Sequence, residues 1–334
     1  MAAASEGDPL SALCRLPTPL VHIEDGLLSR RGVDLWLKLE GESHPQFGGN
    51  KLRKLAPNLE LALRSGAHRV IAFGIGRSTF LFAVASACRE LGLQSVGIVE
   101  ESRHSARALA RLRALGMELI DVPSAVYRRA APMGRVDLVR AKVPDGYVLP
   151  EGGSNPTGIA NCGAIVREID IDVDLITTPM GTGGTLAGLA LGAAGRARVL
   201  GFTALQGQDY DVDRVHRFTE AAGGEDPRNW DVCLDYHSRQ LPDMRVRSFM
   251  RAFQQAHGIE LDTRYNGKSM YGLWDLIERG EIARGTRVVA VHTGGLETGE
   301  NRLPPEAEIE HRVPARRTYR ARLARKVVRV ARRR

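Results

Sequence analysis

A chain of 334 residues, 43% hydrophobic and 26% charged, has the length for two domains or one large α/β domain and for a sizeable core, which excludes the disordered and fibrous classes. Residues 311–334 hold eleven of the Arg and Lys residues and no acid, so the 310 residues before them carry a net −3 of the total +8. The basic character belongs to a tail, and the body has no charge excess that would mark a nucleic-acid binder. Cys14, Cys88, Cys162 and Cys233 are scattered without CxxC or metal-ligand spacing, and the nine histidines show no HxxH or HExxH. Reduced thiols in a cytoplasmic protein, with no metal site, are the expectation. The first twenty residues lack a basic stretch followed by an apolar one, so no signal peptide is read there. The most apolar run, from Val70 to Cys88, is broken by Arg77 and a Gly-x-Gly, which argues against a membrane span.

In chain order, Leu16-Pro17-Thr18-Pro19-Leu20 is held extended by its prolines. Asp34–Glu40 alternates apolar and polar residues and predicts a strand. It leads to Gly48-Gly49-Asn50-Lys51-Leu52-Arg53-Lys54-Leu55, where Leu52, Leu55, Leu59 and Leu63 fall at helical spacing and place Lys51 in the first turn of a helix. There the positive end of the helix dipole and the unpaired backbone N–H groups disfavour the protonated amine. A neutral lysine is what bond formation with an aldehyde requires. The chain then alternates helices (51–65, 78–91, 103–115, 124–142, 156–168) with strands (69–73, 95–99, 118–122, 147–149). Strands at 174–178, 198–203 and 287–292 follow, with helices near 184–194, 211–222, 243–257 and 268–279. Alternation of this kind predicts an α/β fold with mostly parallel sheets flanked by helices.

Ligands in such sheets bind beyond the carboxyl ends of the strands. Four glycine-rich loops fall there: Gly74–Phe80, Glu151–Asn155, Gly181–Thr185 and His292–Gly295. In Gly181-Thr182-Gly183-Gly184-Thr185 the glycines let consecutive backbone N–H groups converge at a helix start, and two threonines add hydroxyls, which makes an anion cradle for a phosphate. It lacks the Gly-Lys-Ser/Thr ending of a P-loop and the GxGxxG of a dinucleotide fold, so a nucleotide is not indicated. A reactive-type lysine and a phosphate-type loop on one sheet edge match pyridoxal 5′-phosphate, which carries an aldehyde at one end and a phosphate at the other.

The segments LPTPL, GGNKLRKL, the Ser78 loop, GGSN, GTGGT, GIELDTRYNGKSMYGL and HTGG resemble, in order and interval over about residues 14–298, the 1-aminocyclopropane-1-carboxylate deaminase / D-cysteine desulfhydrase family. The resemblance implies a two-domain fold-type-II architecture (tryptophan synthase β-like), with a larger cofactor-binding domain from 1–53 plus 166–310, a smaller α/β domain at 54–165 and a basic tail at 311–334. It implies pyridoxal phosphate joined to Lys51, with Asn50, Thr79, Thr293 and the loop Gly181, Thr182, Gly183, Gly184 and Thr185 around it. Lys51, Ser78 and Tyr265 are the implied catalytic residues, with Ser78, Thr79, Phe80, Ser154 and Asn155 on the substrate side. Thr293 is implied to face the pyridine nitrogen, and a hydroxyl there makes a weaker electron sink than a carboxylate, which suits elimination and ring opening over transamination. The implied activity is a lyase or deaminase acting on a small amino acid, in a homodimer, and HTGG leans toward the desulfhydrase side.

Two departures rewrite the substrate side. The family's Ser-Asn-His/Gln is here Ser78-Thr79-Phe80, and the family's tyrosine after HTGG is absent from Leu296–Asn301. A specialised substrate, or a catalytically weak cofactor-binding protein with a regulatory or interaction role, therefore stands beside the enzyme reading. In the tail, Leu323, Val327 and Val330 share one helical face among arginines, a pattern able to meet an acidic partner or surface; a disordered extension or a helix docked on the protein itself fits as well. Tyr319 is its one aromatic, so base stacking and specific nucleic-acid readout are not indicated.

Overall fold

The computed structural model describes residues 13–101, 105–135, 137–138, 145–204, 212–236, 243–296 and 302. The tail 311–334 and residues 297–301 lie outside them. Two sheets carry the fold. The larger has six strands in the order β1 (Leu20–Ile23), β2 (Asp34–Leu39), β10 (Arg287–His292), β7 (Leu175–Met180), β8 (Arg198–Thr203) and β9 (Trp230–Cys233). β1 pairs antiparallel with β2, and every other neighbouring pair is parallel. The smaller sheet is fully parallel, in the order β5 (Glu118–Val122), β4 (Gln94–Glu100), β3 (Arg69–Phe73) and β6 (Tyr147–Leu149).

Helices cover both sheets. Along β10 the side chains alternate: Val288 and Ala290 pack with Met250, Leu273 and Ile277 of α10 (Met244–His257) and α11 (Asn266–Glu278). Val289 and Val291 pack with Leu189 of α8 (Gly184–Gly192) on the opposite face, as period-two alternation in a doubly covered strand requires. α2 (Asn50–Arg64) lays Leu52, Leu55 and Leu59 against α3 (Thr79–Glu90) and the smaller sheet. Each of the three is fully buried, which contributes about 1.5–3 kcal/mol apiece.

The expected alternation is present with local corrections. The four-residue strands β1 and β9 and the six-residue α1 (Gly26–Arg31) are too short to leave a periodic signal. The helix expected over 124–142 stops at Ala130 (α5, Ser124–Ala130), and a 3₁₀ turn over Ala131–Met133 ends at Gly134 with φ +61°. Pro132 has no N–H to continue the ladder, and the left-handed glycine closes it. Residues 136 and 139–144 lie outside the described residues. The helix expected over 156–168 is two pieces, α6 (Pro156–Cys162) and α7 (Ala164–Arg167). Between them Gly163 lies against α8 so closely that a Cβ on Gly192 would stand 2.7 Å from the Gly163 carbonyl. α4 (Ala106–Ala114) and α9 (Val212–Gly223) complete the helices.

A buried charge cluster fixes α2 to the larger sheet. Arg53 donates to both oxygens of Glu40 (2.7 and 3.0 Å) and both of Glu168 (2.5 and 2.7 Å). Lys38 of β2 donates to Glu168 at 2.8 Å and to the Thr18 carbonyl at 2.6 Å, and the Thr18 hydroxyl donates to Glu40 at 2.7 Å. Burial opposes the charge on Glu168, but the hydrogen bonds from Arg53 and Lys38 outweigh it and hold its pKa at about 2. Pro57, inside α2, cannot donate to the Arg53 carbonyl; the side-chain amide of Asn161 does so instead, at 2.7 Å, so the orphaned acceptor is satisfied. Among the described residues no helix is long and apolar enough to cross a membrane, no side-chain cluster could hold a metal, and the four cysteines are free thiols.

Candidate active site

β2, β10 and β7 are neighbours in the larger sheet, so the loops leaving their carboxyl ends meet. Gly49 has φ +119°, and a Cβ there would stand 2.6 Å from the Thr293 carbonyl; no L side chain fits. The Gly49 N–H donates to the Ser43 hydroxyl (2.9 Å) and the Asn50 N–H to the Thr293 carbonyl (3.3 Å). These contacts seat the start of α2 on the loop after β10. The Asn50 amide donates to the Thr185 hydroxyl at 2.8 Å, which ties the lysine helix to the glycine loop after β7. Lys51 Nζ donates to Asn50 Oδ1 at 2.7 Å and stands 5.3 Å from the centroid of the Tyr265 ring.

Gly181–Thr185 forms the opposite wall. Gly183 sits before α8 in the left-handed region (φ +95°), so the loop turns through a conformation that only glycine adopts freely and presents the unpaired N–H groups at the start of α8. A cavity of about 390 Å³ opens between this loop and Lys51, and Asn50, Ser78, Thr79, Phe80, Tyr265 and Thr293 also line it. Ser78 is the N-cap of α3: its oxygen accepts from the N–H groups of Phe80 (3.2 Å) and Leu81 (3.4 Å), which leaves its O–H to donate. Phe80 is buried in the core around α2 and α3 and shows only part of its surface to the cavity.

Two expected substrate-side residues turn away. Ser154 shares a 2.7 Å hydrogen bond with the Thr182 hydroxyl behind the glycine loop, and Asn155 caps α6 by accepting from Gly158 N–H at 2.9 Å while its amide donates to Asn58 at 2.6 Å. Neither lines the cavity. They brace the cradle wall and α6. Gly184 also lies behind the cradle, where a Cβ would stand 2.5 Å from Ser154 Oγ.

Residues outside the sequence expectation line the cavity too. Lys54, one turn along α2 from Lys51, is buried, and its ammonium has no hydrogen-bond partner among the described residues. Burial pushes its pKa down. Arg214 and Arg264 stand on the cavity wall, and Glu151, also on the wall, accepts from the Tyr127 hydroxyl at 3.1 Å. Tyr265 precedes α11 on a turn held by Asp262, whose carboxylate accepts from the N–H groups of Arg264, Tyr265 and Asn266 at 2.8–2.9 Å. Burial raises the Tyr265 phenol above its usual value, Arg264 opposes that, and Asp262 and Glu151 add to it. The phenol is therefore a donor at neutral pH. Asn266 accepts from the Thr293 N–H at 2.9 Å and from its hydroxyl at 3.3 Å, and its amide donates to the Gly294 carbonyl at 2.8 Å.

A phosphorylated aldehyde fits these residues. The cradle offers backbone donors at a helix start, Lys54 adds a buried amino group with no hydrogen-bond partner among the described residues, and Lys51 supplies an amine within the same cavity. The fold and the cavity are those of an enzyme that works with such a cofactor.

Known proteins agree. Residues 12–294 match the family model described as pyridoxal-phosphate dependent enzyme, and the chain belongs to that family. It is 30% identical over 312 residues to the 1-aminocyclopropane-1-carboxylate deaminase of Methylobacterium nodulans, covering 84% of this chain and 92% of the relative. It is 27% identical over 309 residues to the D-cysteine desulfhydrase of Klebsiella pneumoniae, covering 86% and 94%. The crystal structure of an ACC deaminase homologue superposes with a TM-score of 0.70 at 25% identity, over 86% of this chain and 91% of that one. The fold is thus fold-type II, and the cofactor is pyridoxal phosphate.

Proposed function

We propose that this protein is a lyase or deaminase that releases ammonia from a small α-amino acid, with Lys51, Ser78 and Tyr265 as its reacting groups. The observation that carries this is one cavity lined by the Lys51 amine, the Gly181–Gly183 cradle and the Ser78 and Tyr265 hydroxyl groups. The resemblance to deaminases and desulfhydrases supports it. Lys54 and the Gly181–Thr185 loop would hold the cofactor's phosphate, and Asn50, Thr79 and Thr293, the last positioned by Asn266, are the cavity-wall residues that would contact its ring. When bound, the cofactor supplies an electron sink for the charge left on the substrate's α-carbon. Lys51 takes the α-proton and returns it. Ser78 donates to the substrate, and Tyr265, protonated at neutral pH, donates to the departing group. For a β-substituted substrate the α C–H and Cβ–X bonds break, and with one water the products are a 2-oxo acid, ammonia and HX.

The molecule is read as a cytoplasmic homodimer, in keeping with the family resemblance and its free thiols, with 54–165 as the smaller domain inserted between 1–53 and 166–310. The test is a panel of D- and L-amino acids, including D-cysteine and 1-aminocyclopropane-1-carboxylate, scored for ammonia, 2-oxo acid and sulfide. Stoichiometric ammonia and 2-oxo acid support the proposal. A cofactor-loaded protein that releases neither from any member leaves the weak cofactor-binding reading in its place.

A further inference from the structure

We propose that Arg264 is the residue that binds the substrate's carboxylate; this rests on the amino-acid reading of the site and adds the group that recognises the acid. Arg264 directly precedes Tyr265 and lines the same cavity as Lys51, Ser78 and Thr79. Its backbone is fixed, since its N–H and the next two donate to the Asp262 carboxylate. Its side chain is half-buried, and its guanidinium makes one hydrogen bond, to the Arg77 carbonyl at 3.3 Å, on the loop that presents Ser78. A guanidinium has five N–H donors, so most of them remain unspent. No carboxylate pairs with it among the described residues. Arg128, elsewhere on the cavity wall, differs in facing Glu100 at 3.9 Å.

Ser78, Thr79 and Phe80, beside Arg264, offer neutral donors, the Ser78 hydroxyl and the start of α3, but no cation. The Ser78 oxygen is engaged by two backbone N–H groups, Thr79 offers one hydroxyl, and Phe80 is buried and apolar. An α-amino acid brought to Lys51 carries its carboxylate past these residues, and a planar guanidinium fork matches a carboxylate with two parallel hydrogen bonds. Placing the cation on the turn before α11 sets the acid between Arg264 and the Ser78 hydroxyl, so that binding the acid also orients the α-carbon toward Lys51 and Tyr265.

The test compares holoenzyme of the wild type, Arg264→Gln and Arg264→Lys. Binding of an amino acid and of its carboxamide is read from the shift of the cofactor's visible band, and binding of propionate from calorimetry. The expectation is a ten- to hundredfold weaker acid and propionate in Arg264→Gln, the range for losing hydrogen bonds to a charged group. The carboxamide should be unchanged, KM should rise more than kcat falls, and Arg264→Lys should be intermediate because it keeps the charge and loses the fork. Equal loss of acid and carboxamide, or acid and propionate binding at wild-type strength in Arg264→Gln, overturns the proposal. If the wild type turns over no amino acid, the lyase reading falls, and propionate alone decides Arg264: loss on substitution supports it, and equal or no binding overturns it.

Discussion

Arg53→Met should destabilise the protein by about 3–5 kcal/mol, the cost of leaving a buried charge without its partner. Glu40 is fully buried and would keep only the Thr18 hydroxyl among the contacts described above, while Glu168 would keep Lys38. Against a usual total of ~5–15 kcal/mol, the loss is large. The cluster also gives a pH signature. Glu168 falls from 4.5 to about 2 in the folded state, at most ~3 kcal/mol by linkage. Its side chain is 17% exposed, and solvent screening brings that to about 1–2 kcal/mol. Because the folded pKa is depressed, this stability is complete above about pH 4.5 and drains as pH falls toward 2. Glu168→Gln should therefore flatten the acid limb between pH 5 and 3. Urea unfolding followed by circular dichroism at pH 7 and across that window reads both effects. An Arg53→Met protein within about 1 kcal/mol of wild type at pH 7 would show that Glu40 and Glu168 do not depend on Arg53. Since Arg53 lies two residues after Lys51 on α2, the same variant should bind cofactor more weakly.

Gly183→Ala must hold alanine at φ +95° with its Cβ 3.1 Å from Val215, a strain of about 1–2 kcal/mol at the cradle. Cofactor affinity by equilibrium titration should fall about five- to thirtyfold, and an unchanged affinity would remove the loop from phosphate binding. Tyr265→Phe keeps the ring beside Lys51 and Gly181 but removes the donor, so product formation should drop about 10²-fold or more with cofactor binding retained. Activity within threefold of wild type would take Tyr265 out of the proton transfers. With its phenol raised by burial, no loss of wild-type activity below pH 10 should trace to Tyr265 ionisation.

Much of the frame is legible in the sequence, because short apolar runs bounded by glycine fix strands well. The expected strands at 69–73, 118–122, 147–149, 198–203 and 287–292 coincide with β3, β5, β6, β8 and β10. Glycines mark the loops at the strand ends, and Lys51 falls in the first turn of α2 as its leucine spacing predicts. Side-chain direction in loops is less legible. GGSN reads as a site loop, yet Ser154 and Asn155 turn outward from the cavity; Asn before Pro156 is itself an N-cap signature that points to the observed role. Lys54 carries no signal apart from its helix, since a lysine reads as a solvated face until the cavity is known. Arg53 meets Glu40 and Glu168 across 13 and 115 residues, and no local pattern encodes a contact of that range. Arg264 likewise becomes visible only when α11 is placed beside the Ser78 loop.

Borohydride reduction of the purified holoenzyme, followed by proteolysis and mass spectrometry, tests the proposed attachment of the cofactor to Lys51. A phosphopyridoxyl mass on the peptide containing Lys51, lost together with the yellow colour in Lys51→Ala, is the predicted result. A label on Lys54, or a colourless protein that takes up no added cofactor, would contradict it.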